Sequence, residues 1–222
     1  MQYRKFGKLD WQVSALGFGA MRLPTIDGVS GNIDQEKTAE MIHTAIEGGV
    51  NYFDTAYVYH DQKSEAALGK ALQNGLRDKV RIASKSAIWL LNDGDGFQRM
   101  LDEQLERLQT DHIDFYLLHA LSRNSFENKV QKLDLIKESE KAIADGRIKH
   151  IGFSFHDNLD VFKEIIDFYD KWDFCQIQYN YMDTEFQAGR EGLKYAAEKD
   201  IAARRQIGPG STGYTPYLGS RT

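Results

Sequence analysis

Short apolar runs alternate with longer amphipathic stretches along most of the chain. The apolar runs are bounded by polar residues and turn formers, which is typical of strands that are buried on both faces of a parallel sheet. The pattern predicts strands at Leu16–Gly19, Tyr52–Asp54, Val80–Ser84, Ile113–Leu118, His150–Phe153 and Phe174–Gln178.

The stretches between these runs have the spacing of amphipathic helices. In the first of them, Ala39, Ile42 and Ile46 fall on one face, as expected for a helix that packs on a sheet. Asp34 precedes this stretch in the position of an N-cap. Helices are predicted at Glu36–Glu47, Ser64–Leu72, Phe97–Leu108, Val130–Ala144, Leu159–Tyr169 and Gly189–Lys199.

Regular alternation of strands and helices predicts an α/β fold built from βα units, preceded by a short N-terminal hairpin. Six consecutive units fit either a doubly wound open sheet or a (β/α)8 barrel of the TIM type that is incomplete. Counting the units does not distinguish the two architectures, so the candidate chemistry has to decide between them.

The composition of the chain changes near Ile201, where a seventh apolar strand would be expected. Residues 202–222 contain two of the three prolines and several glycines, without apolar periodicity. We therefore predict that the series of βα units ends near residue 201 and that residues 202–222 form a disordered tail.

Charge and composition exclude several classes of function. A formal net charge of -5 and the absence of a Lys/Arg-rich block argue against nucleic acid as a partner. We find no apolar run of membrane-spanning length and no apolar segment behind the basic residues at the N-terminus, so we expect a cytoplasmic protein. A single cysteine, Cys175, excludes an internal disulfide and a cysteine-based metal site. The oligomeric state stays unknown at this level.

Four polar residues lie at or just beyond the ends of successive predicted strands: Asp54, Tyr59, Lys85 and His119. In a parallel βα architecture the carboxyl ends of the strands share one face, where loops build the active site. Each residue alone has a structural explanation, such as a turn cap for Asp54 or a hydrogen-bonded core histidine for His119. A buried Asp and a buried Lys are costly unless they pair, so we expect Asp54 and Lys85 to form an ion pair.

Such an ion pair would also affect the pKa of Tyr59. A free tyrosine has a pKa of about 10, and bringing it close to neutrality requires about 4 kcal/mol in favour of the phenolate. A lysine ammonium about 4 Å away contributes about that much at an effective dielectric constant near 20. We therefore expect Lys85 to lower the pKa of Tyr59 and to make the phenol a usable general acid.

The same residues carry a resemblance to a known family. The segment Phe53–Tyr59, followed by Lys63–Leu72, resembles the aldo-keto reductase signature with its catalytic Asp and Tyr. Ala83–Lys85 is similar to the lysine strand of that family, and Asp114–His119 to its histidine strand. The resemblance implies a (β/α)8 barrel and reduction of a carbonyl group by NADP(H).

The resemblance also implies a role for each residue that matches. The nicotinamide would deliver a hydride to an aldehyde or ketone while Tyr59 protonates its oxygen. His119 would orient the carbonyl, and Lys85 with Asp54 would tune the tyrosine. The residues that would contact the cofactor are Gly19, Met21, Asp54, Ser154 and Gln176. Many family members have an asparagine after the serine, whereas this chain has Phe155.

Two further segments, Ile151–Asp157 and Phe174–Asp183, are similar to microbial aldo-keto reductases that carry a C-terminal ferredoxin-type iron-sulfur domain. The resemblance ends near residue 201, so it implies an incomplete (β/α)8 barrel over residues 1–201, in a truncated chain without that domain. It would also lack the loops after strands seven and eight that bind the cofactor phosphates in this family. A six-stranded arc would leave open sheet edges.

The leading hypothesis is an NADPH-dependent carbonyl reductase. Gly17–Gly19 lacks the third glycine and the following acidic residue of a dinucleotide-binding fingerprint, so we reject a Rossmann fold. Two alternatives stay open: a nicotinamide-binding regulatory module, and an inactive fragment without the phosphate-binding loops. Trp89 either lines the substrate pocket or packs on its own loop.

Overall fold

The computed structural model describes residues 1–180, 183–206 and 213–216, with the backbone alone for residues 205, 206 and 213–216. The chain begins with an antiparallel hairpin of β1 (Tyr3–Lys5) and β2 (Gln12–Ser14). Between these strands, the buried ring of Phe6 lies 5.1 Å from that of Phe115, which faces the interior of the sheet that follows. The hairpin therefore covers the amino-terminal end of that sheet, as its apolar residues require.

The main sheet is a closed barrel of eight strands. Seven strands run parallel, because each pair of neighbours is joined by a helical crossover. An eighth strand pairs antiparallel with both the first and the last of them and closes the barrel. The parallel strands are β3 (Gly17–Gly19), β4 (Tyr52–Asp54), β5 (Arg81–Ser86), β6 (Ile113–Leu121), β7 (Ile148–Phe155), β8 (Phe174–Gln178) and β9 (Ala202–Gln206), and the closing strand is β10 (Gly213–Pro216).

The helices pack around the outside of the barrel, with their apolar faces on the outward-facing strand residues. The first begins at its N-cap Asp34, whose carboxylate accepts a hydrogen bond from the Lys37 amide at 3.1 Å. The α-helices are α1 (Gln35–Glu47), α2 (Ser64–Ala71), α3 (Gly94–Leu108), α4 (Arg123–Ser125), α5 (Leu135–Ala144), α6 (Leu159–Phe168) and α7 (Gly189–Glu198), and the 3-10 turns are Ala20–Arg22, Arg77–Lys79 and Ile88–Leu90.

The core has two parts because side chains alternate between the two faces of a strand. Outward residues such as Ile82 and Phe153 join a large cluster with the helices. Inward residues fill the lower barrel, where Ala83 packs among Tyr52 and Phe115. None of the helices in the described part of the chain combines the length and the hydrophobicity needed to span a bilayer.

The predicted barrel with its N-terminal hairpin is confirmed, but three local expectations were wrong. Lys85 and His119 lie within β5 and β6 and not after them. The predicted helix Val130–Ala144 is interrupted, because a π-helical turn covers Phe126–Gln131 and Asp134 adopts a left-handed φ of 52° before α5 begins.

The sheet also continues past the predicted boundary at residue 201. Residues 202–206 form the seventh parallel strand, with Ala202 and Ala203 buried and paired with β8. The side chain of Arg204 is fully buried and its guanidinium lies over the ring of Tyr52. Small alanines followed by arginines do not look like an apolar strand in sequence, which explains the misplaced boundary. The predicted incomplete (β/α)8 barrel is confirmed, because seven parallel strands are present, but the antiparallel strand β10 closes the sheet that was expected to stay open. The remaining tail residues, 207–212 and 217–222, lie outside the described residues.

Candidate active site

Four of the candidate polar residues reach one place because each lies on a strand two positions after an inward-facing apolar residue. On β4, Tyr52 faces the barrel interior, so Asp54 does as well. On β5 the same step leads from Ala83 to Lys85. The corresponding steps are Leu117 to His119 on β6 and Phe174 to Gln176 on β8. Parallel strands thus bring these polar groups together above the apolar layer, at the carboxyl end of the barrel.

Asp54 and Lys85 form the predicted ion pair. The Lys85 ammonium donates to Asp54 Oδ1 at 2.6 Å and to the Thr55 carbonyl oxygen at 2.8 Å, and both charged side chains are almost fully buried. Burial alone would lower the pKa of Lys85. The Asp54 carboxylate and the Tyr59 phenol have the larger, opposite effect, so the pKa of Lys85 is raised overall. Lys85 is therefore a permanent cation near neutral pH.

Tyr59 lies beside this pair. The Lys85 ammonium donates to the Tyr59 hydroxyl oxygen at 3.2 Å and lies 4.8 Å from the centre of its ring. Burial nevertheless raises the pKa of Tyr59 above its usual value, against the opposing effect of Lys85. The expectation of a lowered pKa was therefore wrong. The reason is that burial of the phenol exceeds the effect of Lys85, whose charge is already neutralised by the carboxylate of Asp54, and Asp54 itself adds to the increase.

His119 stands opposite the phenol. Its ring is edge-on to that of Tyr59, with centroids 6.0 Å apart, and it lies 5.2 Å from the ring of Trp89. Burial, with a smaller effect of Lys85, holds the pKa of His119 well below its usual range. The imidazole is therefore neutral, and it can donate a hydrogen bond to a carbonyl oxygen without carrying charge.

The residues expected to hold the cofactor lie on the same end of the barrel. Gly19 is in register with Asp54, and Ser154 is in register with Gln176 on the adjacent strand. The Gln176 amide donates to the second carboxylate oxygen of Asp54 at 3.3 Å. Met21 lies in the 3-10 turn after Gly19, with its side chain partly exposed.

Ser154 has a contact that the sequence did not indicate. Its hydroxyl oxygen accepts a hydrogen bond from the Ala120 amide at 2.7 Å. Ala120 has a left-handed φ of 57° and lies where the register between β6 and β7 shifts, directly after His119. The same hydroxyl can still donate, so Ser154 can stabilise the backbone beside His119 and present a donor to a carboxamide.

The amide and hydroxyl groups present here fit a nicotinamide carboxamide, which needs both a donor and an acceptor. A metal is a poorer fit. In the part of the chain that the structure describes, no group of three His, Cys, Asp or Glu side chains could hold a metal ion. Cys175 is buried, and burial raises the pKa of its thiol, so it behaves as a small apolar residue.

The turn after Tyr59 also went unrecognised in the sequence. His60, Asp61 and Gln62 all have left-handed φ values, of 52°, 53° and 67°. Each non-glycine residue in this region costs about 1–2 kcal/mol, so three in succession require support from their surroundings. Glycine would have been the signal for such a turn, and the segment contains none.

Comparison with known protein families matches residues 15–205 to the family described as "Aldo/keto reductase family". The matched range includes every candidate site residue and most of β9. Among curated proteins, the chain is 30% identical over 164 residues to "Uncharacterized oxidoreductase YqkF" of Bacillus subtilis (strain 168), covering 69% of this chain and 49% of that protein. It is also 30% identical over 158 residues to "Probable aldo-keto reductase 1" of Glycine max, covering 68% and 44%.

Solved structures of similar fold agree with this match. The holo form of the aldo-keto reductase AKR11C1 from Bacillus halodurans has a TM-score of 0.76 at 25% identity, covering 98% of this chain and 74% of that one. An aldo-keto reductase from Klebsiella pneumoniae in complex with NADPH has a TM-score of 0.72 at 24% identity, covering 91% and 67%. The chain spans about half the length of the curated relatives named above. By its matched residues and its barrel, the chain belongs to the aldo-keto reductase family.

Proposed function

We propose that this protein is an NADPH-dependent oxidoreductase that reduces an aldehyde or ketone, with Tyr59 as the general acid. One observation carries the proposal: the buried Lys85 ammonium is within hydrogen-bonding distance of both the Asp54 carboxylate and the Tyr59 hydroxyl. The neutral ring of His119 faces the same phenol. A proton donor, a fixed cation behind it and a neutral orienting group are the parts that carbonyl reduction requires.

The roles of the side chains follow from their charges. A substrate carbonyl oxygen between Tyr59 and His119 would accept hydrogen bonds from both. A bound nicotinamide supplies the hydride that reduces the carbonyl carbon. As negative charge develops on the oxygen, Tyr59 transfers its proton, and the resulting phenolate is stabilised by the ammonium of Lys85. Asp54 keeps that ammonium charged and in place.

Cofactor binding rests on Gly19, Met21, Asp54, Ser154 and Gln176, which lie in or just after the carboxyl-terminal parts of β3, β4, β7 and β8. The preference for NADPH over NADH is supported by the NADPH complex of the Klebsiella pneumoniae protein. Because the Gln176 amide nitrogen donates to Asp54, its amide oxygen is the atom suited to accept from a carboxamide. The departure at Phe155 leaves Ser154 and Gln176 as the polar contacts for that group.

We also propose that the protein is most similar to those aldo-keto reductases that carry a C-terminal ferredoxin-type iron-sulfur domain. The support is local: the segments at 151–157 and 174–183 resemble that subgroup, and they contain the candidate cofactor residues Ser154 and Gln176.

Titration with NADPH and oxidation of NADPH in the presence of aldehydes test the proposed function together. We expect saturable quenching of tryptophan fluorescence and NADPH oxidation that depends on the aldehyde. Saturable binding without turnover for any aldehyde of a broad panel would contradict the reductase assignment. It would favour the second candidate, a nicotinamide-binding module that has the barrel but does not reduce carbonyl groups.

Trp89 gives a prediction about the substrate. Its indole is about half exposed and its centroid lies 5.2 Å from the His119 ring, so it forms one wall beside the carbonyl site. An aromatic contact of this kind contributes about 0.5–1.5 kcal/mol. We expect Trp89→Ala to raise the KM of an aromatic aldehyde roughly 2- to 10-fold and to leave that of a small aliphatic aldehyde nearly unchanged. Leu90→Ala, at a similarly exposed neighbour, is the control. An equal change for both aldehydes would contradict the assignment.

A further inference from the structure

The strained turn after Tyr59 is held by an imidazole that has no role in the proposed chemistry. His60 is 9% exposed and lies between two backbone segments. Its Nε2 accepts a hydrogen bond from the Leu23 amide at 2.8 Å, and its Nδ1 lies 2.7 Å from the Ser30 carbonyl oxygen. Leu23 and Ser30 both belong to the loop between β3 and α1, residues 23–34, which follows the candidate cofactor residues of β3.

These two contacts fix the protonation of the ring. A backbone amide can only donate and a carbonyl oxygen can only accept, so Nε2 must be bare and Nδ1 must carry the proton. The two contacts therefore select a single tautomer of His60. A doubly protonated ring would place an N–H group against the Leu23 N–H group and lose that contact.

Further contacts surround those of His60. The Ser64 hydroxyl donates to the Ala20 carbonyl oxygen at 2.8 Å and contacts the Thr55 hydroxyl at 2.9 Å. At Gly31, an added Cβ would lie 2.9 Å from a carboxylate oxygen of Asp61, so the absence of a side chain there accommodates the turn. The turn thus meets the loop at His60 and at Gly31, and α2 is joined to the 3-10 turn that precedes the loop.

We propose that His60 is a positioning residue that holds the turn carrying Tyr59 against the loop between β3 and α1. Tyr59 is tied into the turn by its own backbone, since its carbonyl oxygen accepts from the Ser64 amide at 3.2 Å. The His60 carbonyl oxygen accepts from the Lys63 amide at 3.0 Å. The contacts of the imidazole therefore fix the position of the turn, and the position of the turn fixes the distance between the Tyr59 phenol and Lys85. The effect on turnover rests on the proposed function, whereas the structural effect does not.

Two substitutions separate the contacts of the ring. In His60→Gln the side-chain oxygen can take the place of Nε2, so the acceptor for Leu23 is kept. In His60→Asn the amide nitrogen can take the place of Nδ1, so only the contact with Ser30 is kept. His43→Asn is the control, because the His43 ring contacts the Ala71 carbonyl oxygen between α1 and α2, away from the loop.

Amide hydrogen exchange followed by NMR measures whether His60 holds the turn in place, and it does not require enzymatic activity. In His60→Asn, we expect exchange at Leu23 and Ser64 to accelerate at least 10-fold. His60→Gln should stay within about 3-fold of the wild type, and His43→Asn should leave both amides unchanged. Unchanged exchange at Leu23 and Ser64 in His60→Asn would overturn the proposal.

Kinetics then test the consequence for Tyr59. We expect His60→Asn to lower kcat about 5- to 10-fold, with NADPH affinity within 2-fold of the wild type, and His60→Gln to restore most of the loss. Accelerated exchange with unchanged kcat would overturn the proposal that His60 positions Tyr59. If the wild type itself did not oxidise NADPH, the proposed function would fail, while the exchange data would still decide whether His60 holds the turn.

Discussion

Replacing Lys85 with methionine is expected to lower the free energy of unfolding by about 3–5 kcal/mol, because it leaves the Asp54 carboxylate buried without its cation. The same change should reduce carbonyl reduction about 10²–10⁴-fold, since the phenolate formed as Tyr59 gives up its proton would lose the charge that stabilises it. Urea unfolding measures the first effect and steady-state NADPH oxidation the second.

A double substitution separates the two effects. Lys85→Met combined with Asp54→Leu removes both charges, and replacing a buried ion pair with apolar residues is often neutral or stabilising. We expect the double variant to regain most of the lost stability and none of the lost activity. Recovery of activity with stability would show that Lys85 only supports the fold. No loss of stability in the single variant would mean that Asp54 and Lys85 are not a buried pair.

Tyr59→Phe is the second change with a large expected effect. It removes the proposed proton donor and keeps the ring that packs beside Lys85 and His119. We expect turnover to fall about 10²–10⁴-fold with little change in NADPH affinity, because the hydroxyl acts only as the carbonyl is reduced.

Tyr57→Phe is the matched control for this prediction. Tyr57 lies two positions earlier, and its hydroxyl donates to the Glu103 carboxylate at 2.7 Å on the outside of the barrel. It should keep nearly full activity. Equal losses in both variants would mean that the hydroxyl of Tyr59 has no special role.

Much of the fold could be predicted from the sequence because the strands are continuous apolar runs and the helices have clear apolar faces. Tyr52–Asp54 and Phe174–Gln178 have the predicted bounds in the structure. The pairing of Asp54 with Lys85 could also be predicted, because adjacent parallel strands carry them to the same end of the sheet and neither charge tolerates burial alone.

The remaining features depend on surroundings that a linear pattern does not contain. The strand at residues 202–206 was missed because its two alanines and two arginines are not an apolar run, although the barrel buries Arg204. The left-handed turn at residues 60–62 has no glycine to mark it and depends on contacts with a distant loop. The predicted direction of the pKa shift of Tyr59 was wrong. The shift depends on how far the effect of burying the phenol exceeds the field of a lysine that is already paired.

The pH dependence of carbonyl reduction tests the central claim, that the protonated phenol of Tyr59 is the proton donor. Because burial raises the pKa of Tyr59, the wild type should keep a level turnover rate from neutral pH to about pH 10 and lose activity only above it. The residual rate of Tyr59→Phe should lack this alkaline decline. A wild-type rate that already falls between about pH 7 and 8, or a decline that persists unchanged in Tyr59→Phe, would contradict the assignment.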